Sequence, residues 1–294
     1  MRLATFNVLH GRPMRAGAPR PLTAGAAEEL LAGAVASVGA DILALQEVDR
    51  LQERSGRADQ AAVAARGMDA KDWRYASALH GRVVLGRGWA LDPAESGLRV
   101  YGPGDTATRE GIPSHGIALL TRLPVRAWHA RRLPPAPVRL PLRVAGRPRL
   151  TCVPDQARAA LAAVVEGRHG PFTVVAVHLS FVPGWNVGQL VAIRRWIADF
   201  PAPHVLLGDF NMVGAMPRTV LSGAGWMDHA TRRGGRGSGG WRDLARTPTY
   251  PSHRPAVQFD HVLAAGVPRD AVRDIGTPPM PISDHRPLVV ELAW

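Results

Sequence analysis

The sequence predicts a mixed α/β (α+β) protein in which two packed mixed β-sheets carry helices on their outer sides. Three observations predict it. Short apolar runs of strand length recur along the whole chain. About four segments with helical spacing fall among them without strict strand–helix alternation, which argues against a doubly wound parallel sheet. No internal repeat and no linker-like stretch divides the chain, so residues 1–294 are expected to form a single domain.

Residues 3–8 open the chain as a strand. Residues 24–38 are rich in Ala and Leu with helical spacing; Thr23 is the expected N-cap and Gly39 the terminator. Residues 41–46 form a short apolar run, a buried strand, and residues 55–68 a second helix opening in a polar turn. Residues 73–79, 116–121 and 125–131 are strands, the last two joined by a turn at Leu123-Pro124. The Pro- and Arg-rich residues 133–148 are expected to be a loop or edge connection. Residues 157–166 fit either helix or strand, with strand preferred, and Gly167-Arg168-His169-Gly170 turns the chain into a strand over 172–178. A helix over 187–200, a strand over 204–207 and a short helix over 216–222 follow. Residues 231–255, rich in Gly, Arg and Pro, are expected to be a long mobile loop. Strands over 258–263, 271–275 and 288–292 close the chain.

Composition narrows the function classes. No run reaches the roughly 18 apolar residues that a membrane helix requires. The opening residues suggest a strand with a polar end and not a leader, so a cytoplasmic address is expected. Cys152 is the sole cysteine, which excludes an internal disulfide and a Cys-based zinc site; it is expected to be a small buried residue. The net charge is +12 with a pI of about 11.3, and Lys71 is the only lysine. Scattered arginines suit phosphate contacts and are compatible with a nucleic-acid partner, without identifying one.

Apolar runs repeatedly end or begin in a chemically capable residue. Residues 3–6 end at Asn7, 42–46 at Glu47, 174–177 at His178, and 205–208 at Asp209 with Asn211 two residues on. Asp260 and His261 follow Phe259, and Asp284-His285 precedes the last strand. Taken singly, an acid at a strand end is more often a turn former, and a lone His a satisfied core residue. Six such coincidences are harder to dismiss.

Leu3-Ala4-Thr5-Phe6-Asn7-Val8, Leu45-Gln46-Glu47-Val48-Asp49, Val177-His178-Leu179, Gly208-Asp209-Phe210-Asn211, Phe259-Asp260-His261-Val262-Leu263 and Ser283-Asp284-His285-Arg286-Pro287-Leu288 occur in this order. With them the chain resembles the endonuclease/exonuclease/phosphatase superfamily over nearly its whole length. The resemblance implies a four-layer α/β/β/α sandwich of deoxyribonuclease I-like type. It implies metal-dependent hydrolysis of a phosphate mono- or diester by water, with Mg²⁺ as cofactor and Mn²⁺ able to substitute. Asn7, Glu47 and Asp284 are the implied metal residues, Glu47 being the principal carboxylate. His178, Asp209, Asn211, Asp260 and His285 are the implied catalytic residues. His285 would pair with Asp260, while Asp209 and Asn211 would bracket the phosphate. Acid and base roles among Asp209, His178 and His285 stay open.

His178 stands where abasic-site endonucleases carry a Tyr-containing segment, and its surroundings are closer to the deoxyribonuclease and sphingomyelinase branches. His10 and Arg158 are further candidates for the cleft, and Trp185, Trp241 and Tyr250 for its rim, although packing roles fit those three better; His261 is expected to be structural. The expected partner is a phosphate-ester substrate, a nucleic acid among them. A lipid head group or small phosphate ester is the alternative, and a catalytically silent binding protein on the same fold is the second.

Overall fold

The computed structural model describes residues 1–15, 18–19, 23–84, 88–105, 111–142, 150–231 and 240–294. Two large mixed sheets lie face to face. The first runs in the order Val272–Gly276, Leu288–Leu292, Arg2–Asn7, Ile42–Arg50, Ser114–Thr121, Asp72–Val84 and Gly88–Leu91, with Arg99–Tyr101 also paired to Asp72–Val84. The second runs Arg242–Asp243, Asp260–Ala265, His204–Asp209, Gly170–His178, Arg158–Gly167 and Val125–Leu133. Leu3, Ile42, Leu119, Leu161, Val174, Leu207, Val262 and Val290 fill the space between the sheets.

Helices cover both outer faces. Ala24–Val38 and Gln60–Met68 place Leu31, Val35, Ala64 and Met68 on Phe6, Leu43, Leu45 and Leu120 of the first sheet. On the second sheet, Leu190 and Ile193 of Trp185–Trp196 and Leu221 of Met216–Thr231 pack with Val175, Val177, Leu206 and Leu263. This is the four-layer sandwich. It explains why the central strands are apolar runs and not alternating ones, since both faces of each strand are buried. Each fully buried Leu, Val or Phe is worth roughly 1.5–3 kcal/mol against exposure. Among the described residues no helix is long and apolar enough to cross a membrane.

Several boundaries move from the sequence expectation. The strand expected over 41–46 runs on to Arg50 through a bulge. The second helix starts at Gln60, because Asp59 and not the Ser55 turn caps it, accepting from the Ala62 amide at 3.2 Å. Thr23 takes the expected N-cap place with no side-chain cap bond, whereas Gly39 ends that helix at φ 63° as expected. The short helix expected over 216–222 continues to Thr231. Within the expected loop 133–148, Arg139–Leu142 pairs with Thr151–Pro154, while residues 143–149 lie outside the described ones. Cys152 sits on that outlying hairpin and is exposed, contrary to the buried place expected of it. The segment expected to be a mobile loop over 231–255 is packed in its second half: Trp241, Leu244, Ala245 and Thr249 are buried, and residues 232–239 lie outside the described ones.

Two parallel strand pairs set the polar edge. Arg2–Asn7 runs parallel to Ile42–Arg50 in one sheet, and Gly170–His178 parallel to His204–Asp209 in the other. Parallel pairing brings C-terminal strand ends to the same side, so Asn7 meets Gln46 in register and His178 meets Asp209. Gly208 permits the second juxtaposition: a Cβ there would collide with the Val177 carbonyl oxygen on the neighbouring strand. Gly208→Ala is therefore expected to destabilise the protein by about 2–4 kcal/mol. Denaturant melts monitored by circular dichroism check this; a variant within 0.5 kcal/mol of the parent, the range of a neutral surface change, would refute the packing account.

Candidate active site

The residues at this edge are set by irregular backbone. Glu47 has φ 55° and lies where the pairing of Ile42–Arg50 with Ser114–Thr121 shifts register between Leu45 and Val48. Such a bulge re-aims a side chain that a regular strand would leave in the core. Leu9 (φ 44°), His10 (φ 48°), Asn211 (φ 50°) and Ser283 (φ 69°) are also left-handed. A non-glycine residue held in this region costs on the order of 1–3 kcal/mol, and such residues cluster at functional sites.

Asn7 joins the sheets. Its amide donates to Glu47 Oε1 at 3.3 Å and to Asp209 Oδ2 at 3.1 Å. The Leu9 backbone N–H donates to Asn7 Oδ1 at 3.1 Å, which fixes the amide orientation. Asp209 Oδ1 accepts from the Asn211 amide at 2.9 Å, and Asn211 Nδ2 donates to the Leu179 carbonyl at 3.0 Å. Asp209 Oδ2 lies 3.8 Å from His178 Nε2 and 4.0 Å from His285 Nε2. His285 Nδ1 donates to Asp260 Oδ2 at 2.8 Å, and the same oxygen accepts from Thr249 Oγ1 at 2.5 Å. Ser283 ties the Ser-Asp-His turn to the first strand: its hydroxyl donates to the Asn7 carbonyl at 2.5 Å and accepts from the His285 amide at 3.1 Å.

The charges separate into two kinds. Burial works against a charged His285, but the charge and hydrogen bond of Asp260, with Asp209 and Asp284, outweigh it and raise its pKa to about 10. His285 is thus an imidazolium at neutral pH. His178 is the opposite case: burial first and the Arg158 guanidinium second push it well below the ordinary imidazole value. Arg158 Nη1 stands 3.0 Å from His178 Nδ1 and 3.3 Å from its Nε2. Its Nε is buried without a partner, and among the described residues no carboxylate comes within ion-pair distance of the guanidinium. Burial raises the Asp209 pKa to about 6, with Asp260 adding to the effect and His285 opposing it. Burial would also raise Glu47, but His115, His10, Arg158 and His285 more than offset that and lower it. Asp284 is raised by burial, and Glu47 adds to the rise by like-charge repulsion.

All eight expected site residues thus lie at one edge. Arg158, a further candidate from the sequence, belongs with them. Half-buried His10 stands near Glu47, and burial and then Arg54 lower its pKa to about 3, so its ring is uncharged at neutral pH. Tyr250 packs on His285 with ring centroids 5.0 Å apart. Trp241 is buried against His204, away from any rim, and Trp185 is partly exposed with its indole on the Pro134 carbonyl. His261 is fully buried on Asp243 and the Met212 carbonyl. Sequence reasoning missed Thr249, whose Gly- and Arg-rich surroundings hide a buried hydroxyl, and gave Ser283 no role.

Asp209, Asp260 and His285 place ligand-capable atoms within 4.8 Å of one another. A metal there is disfavoured, because His285 is a cation and Asp260 Oδ2 is already taken by Thr249 and His285. Glu47 and Asp284 suit a hard divalent cation better: they offer carboxylate oxygens, and their repulsion is relieved when such an ion binds.

The family described as endonuclease/exonuclease/phosphatase matches residues 4–285. No curated protein matches the chain. Among solved structures, an endonuclease/exonuclease/phosphatase family protein from Leptotrichia buccalis is similar at TM-score 0.57 and 15% identity, covering all of both chains. One from Beutenbergia cavernae is similar at TM-score 0.57 and 19% identity over 99% of this chain and 71% of that one. A mannosyl-6-phosphatase from Bacteroides thetaiotaomicron is similar at TM-score 0.56 and 15% identity over the whole of both. At these identities the likeness shows the fold.

The His285–Asp260 pair has a pH signature. The folded pKa of about 10 exceeds the ordinary 6.5, so its contribution to stability is complete below pH 6.5 and is lost as the pH rises through 10. An NMR titration is expected to find His285 protonated from pH 6 to 9. In Asp260→Asn its midpoint is expected to fall by more than two units. A parent midpoint near 6.5 would refute the pairing.

Proposed function

The chain belongs to the endonuclease/exonuclease/phosphatase family, and on that premise we propose that residues 1–294 act as one catalytic domain, a divalent-metal-dependent phosphoester hydrolase. The observation that carries the proposal is the meeting of both signs of charge at the polar edge. The carboxylates of Glu47, Asp284 and Asp209 stand within electrostatic reach of the cations His285 and Arg158. A phosphoester needs both, because charge develops on its phosphoryl oxygens during in-line displacement.

Glu47 and Asp284 would hold the ion, Mg²⁺ first and Mn²⁺ as substitute, with Asn7 bracing Glu47 or reaching the ion through water. When bound, the metal would supply charge neutralisation to the phosphoryl group. His285 and Arg158 would take phosphoryl oxygens through N–H donors; Arg158 already has an unpartnered buried N–H. Asn211 spends one amide hydrogen on Leu179 and keeps the other for the same purpose. Asp209, with a pKa of about 6, is largely ionised at neutral pH and basic enough to accept a proton from the attacking water. His178 stays neutral beside it, and its contact with Arg158 orients the guanidinium.

A phosphomonoester or small-ester substrate is supported by the likeness to the mannosyl-6-phosphatase. A nuclease is the second reading, favoured by the net charge of +12. Purified protein is expected to hydrolyse p-nitrophenyl phosphate or its bis-ester with Mg²⁺ or Mn²⁺ and to lose activity in a chelator. Glu47→Ala, Asp209→Ala, His285→Ala and Arg158→Ala are each expected to lose on the order of 10² to 10⁴-fold in kcat. Unaltered rates in Asp209→Ala and His285→Ala would sink the assignment. A nuclease would show steep loss of activity with rising salt, whereas a small-ester enzyme would not.

A further inference from the structure

A second Asp–His pair lies wholly within the first sheet. Asp49 and His115 are direct cross-strand partners, and His115 Nδ1 lies 2.7 Å from Asp49 Oδ1. Asp49 is fully buried and its carboxylate is saturated. Arg54 Nη2 also donates to Oδ1 at 2.8 Å, while Arg54 Nε at 2.8 Å and Ser55 Oγ at 3.1 Å donate to Oδ2. Burying a carboxylate is costly unless its partners are fixed. The side chains it fixes are partly open: 28% of the Arg54 side chain and 10% of the His115 side chain are exposed. In the phosphoryl chemistry above they act only through their charge, His115 on Glu47 and Arg54 on His10.

Their place points to substrate. Asp49 is two residues beyond Glu47 on the same strand, and His115 lines one small cavity together with Arg158 and His178. His115 Nδ1 is held between Asp49 Oδ1 at 2.7 Å and Arg54 Nη2 at 3.2 Å, which leaves Nε2 as the nitrogen of this partly exposed ring available to a ligand. The hairpin of Asp72–Val84 and Gly88–Leu91 brings Trp89 over the pair. The Arg54 guanidinium lies 5.4 Å from the Trp89 ring centroid, and the His115 ring 5.5 Å from it at 44°.

The charges of Arg54 and Asp49 cancel within the cluster, so it has little to offer a second phosphate. An aromatic face beside a fixed imidazole and the outer edge of a guanidinium recognises a neutral ring rich in hydroxyl groups. We infer that Trp89, His115 and Arg54 form a subsite for the sugar ring that carries the scissile phosphate. His115 Nε2 and Arg54 meet hydroxyl oxygens, and Trp89 covers the ring. The inference rests on the phosphoesterase reading of the adjoining cleft. A hexose phosphate and a nucleotide present the same hydroxylated chemistry, and the test below separates them.

Steady-state kinetics of the parent, Trp89→Ala, His115→Ala and His115→Gln on three substrates test it: p-nitrophenyl phosphate, which has no sugar, a hexose phosphate and a nucleoside monophosphate. Trp89→Ala leaves the buried Asp49 network intact and so separates recognition from folding. Both Ala variants are expected to raise KM for a sugar-bearing ester, so that kcat/KM falls about tenfold or more beyond any loss on p-nitrophenyl phosphate, with partial rescue in His115→Gln. The sugar ester affected identifies the source of the ring. Equal losses on all three esters, or none, overturn the subsite. A parent inactive on these three esters and on bis-p-nitrophenyl phosphate overturns the phosphoesterase reading instead. Calorimetric titration with hexose phosphate and nucleoside monophosphate then decides the subsite without turnover. At least tenfold weaker binding in Trp89→Ala supports it; equal binding, or none to the parent, overturns it.

Discussion

The bridge from Asn7 to Glu47 and Asp209 ties the two sheets together at the edge where both end in acids. Its geometry is set by the backbone, because the Leu9 amide holds the Asn7 oxygen and turns the NH₂ group toward the carboxylates. Everything else at the edge has to be compatible with buried acids held close together. Carboxylates buried without partners would have their pKa raised and take up protons, or force the structure apart. His285 and Arg158 answer that demand, and their placement depends on further anchors: Thr249 and Asp260 for His285, the strand Arg158–Gly167 for Arg158. Removing one partner therefore leaves an uncompensated charge and does more than delete a contact.

The parts of this arrangement that follow from local pattern were legible in the sequence. Apolar runs bounded by Asn7, His178 and Asp209 identify strands whose ends share an edge, and the helix over Ala24–Val38 is set by its spacing and by Gly39. The need for Gly208 before Asp209 became visible only in the fold, since the position next to Val177 admits no Cβ. What was not legible depends on pairing between distant segments. The bulge that aims Glu47 arises only when Ile42–Arg50 meets Gly116 on another strand. Thr249 is hidden because composition predicts a loop over 231–255, whereas Trp241, Leu244 and Ala245 bury its second half against the sheet. The helix beginning at Met216 outruns its expected end because Leu221 and Ala224 are buried, and tertiary burial outweighs the low helix propensity of Gly223.

The electrostatics of the edge also explain why total charge bears on the approach of a polyanion and not on what binds in the cleft. At physiological ionic strength exposed charges are screened beyond about 8 Å, so scattered surface arginines act weakly at the cleft. Arg158 acts strongly there because it is enclosed and has no carboxylate within ion-pair distance among the described residues. Arg54 differs again: its charge is spent on Asp49, and what remains is its shape and its outer N–H groups. Three arginine environments in one fold therefore make three different demands on a ligand.

Strain follows the same division. Leu9, His10, Glu47, Asn211 and Ser283 are non-glycine residues in the left-handed region that belong to the polar edge or flank it, while Leu51, Arg57 and Asp69 take the same conformation elsewhere. Regular strands there would point these side chains along the sheet normal, into a core of Phe6, Leu45 and Leu207 that has no room for them. The irregular backbone costs a few kcal/mol in total by the usual scale for such residues. The apolar contacts of four packed layers offset it many times over, since single buried side chains are worth roughly 1.5–3 kcal/mol each. The sandwich can therefore hold a rigid, acid-lined edge that would not survive on a thinner scaffold, and the arrangement of Asn7, Glu47, Asp209 and His285 is preorganised before any substrate arrives.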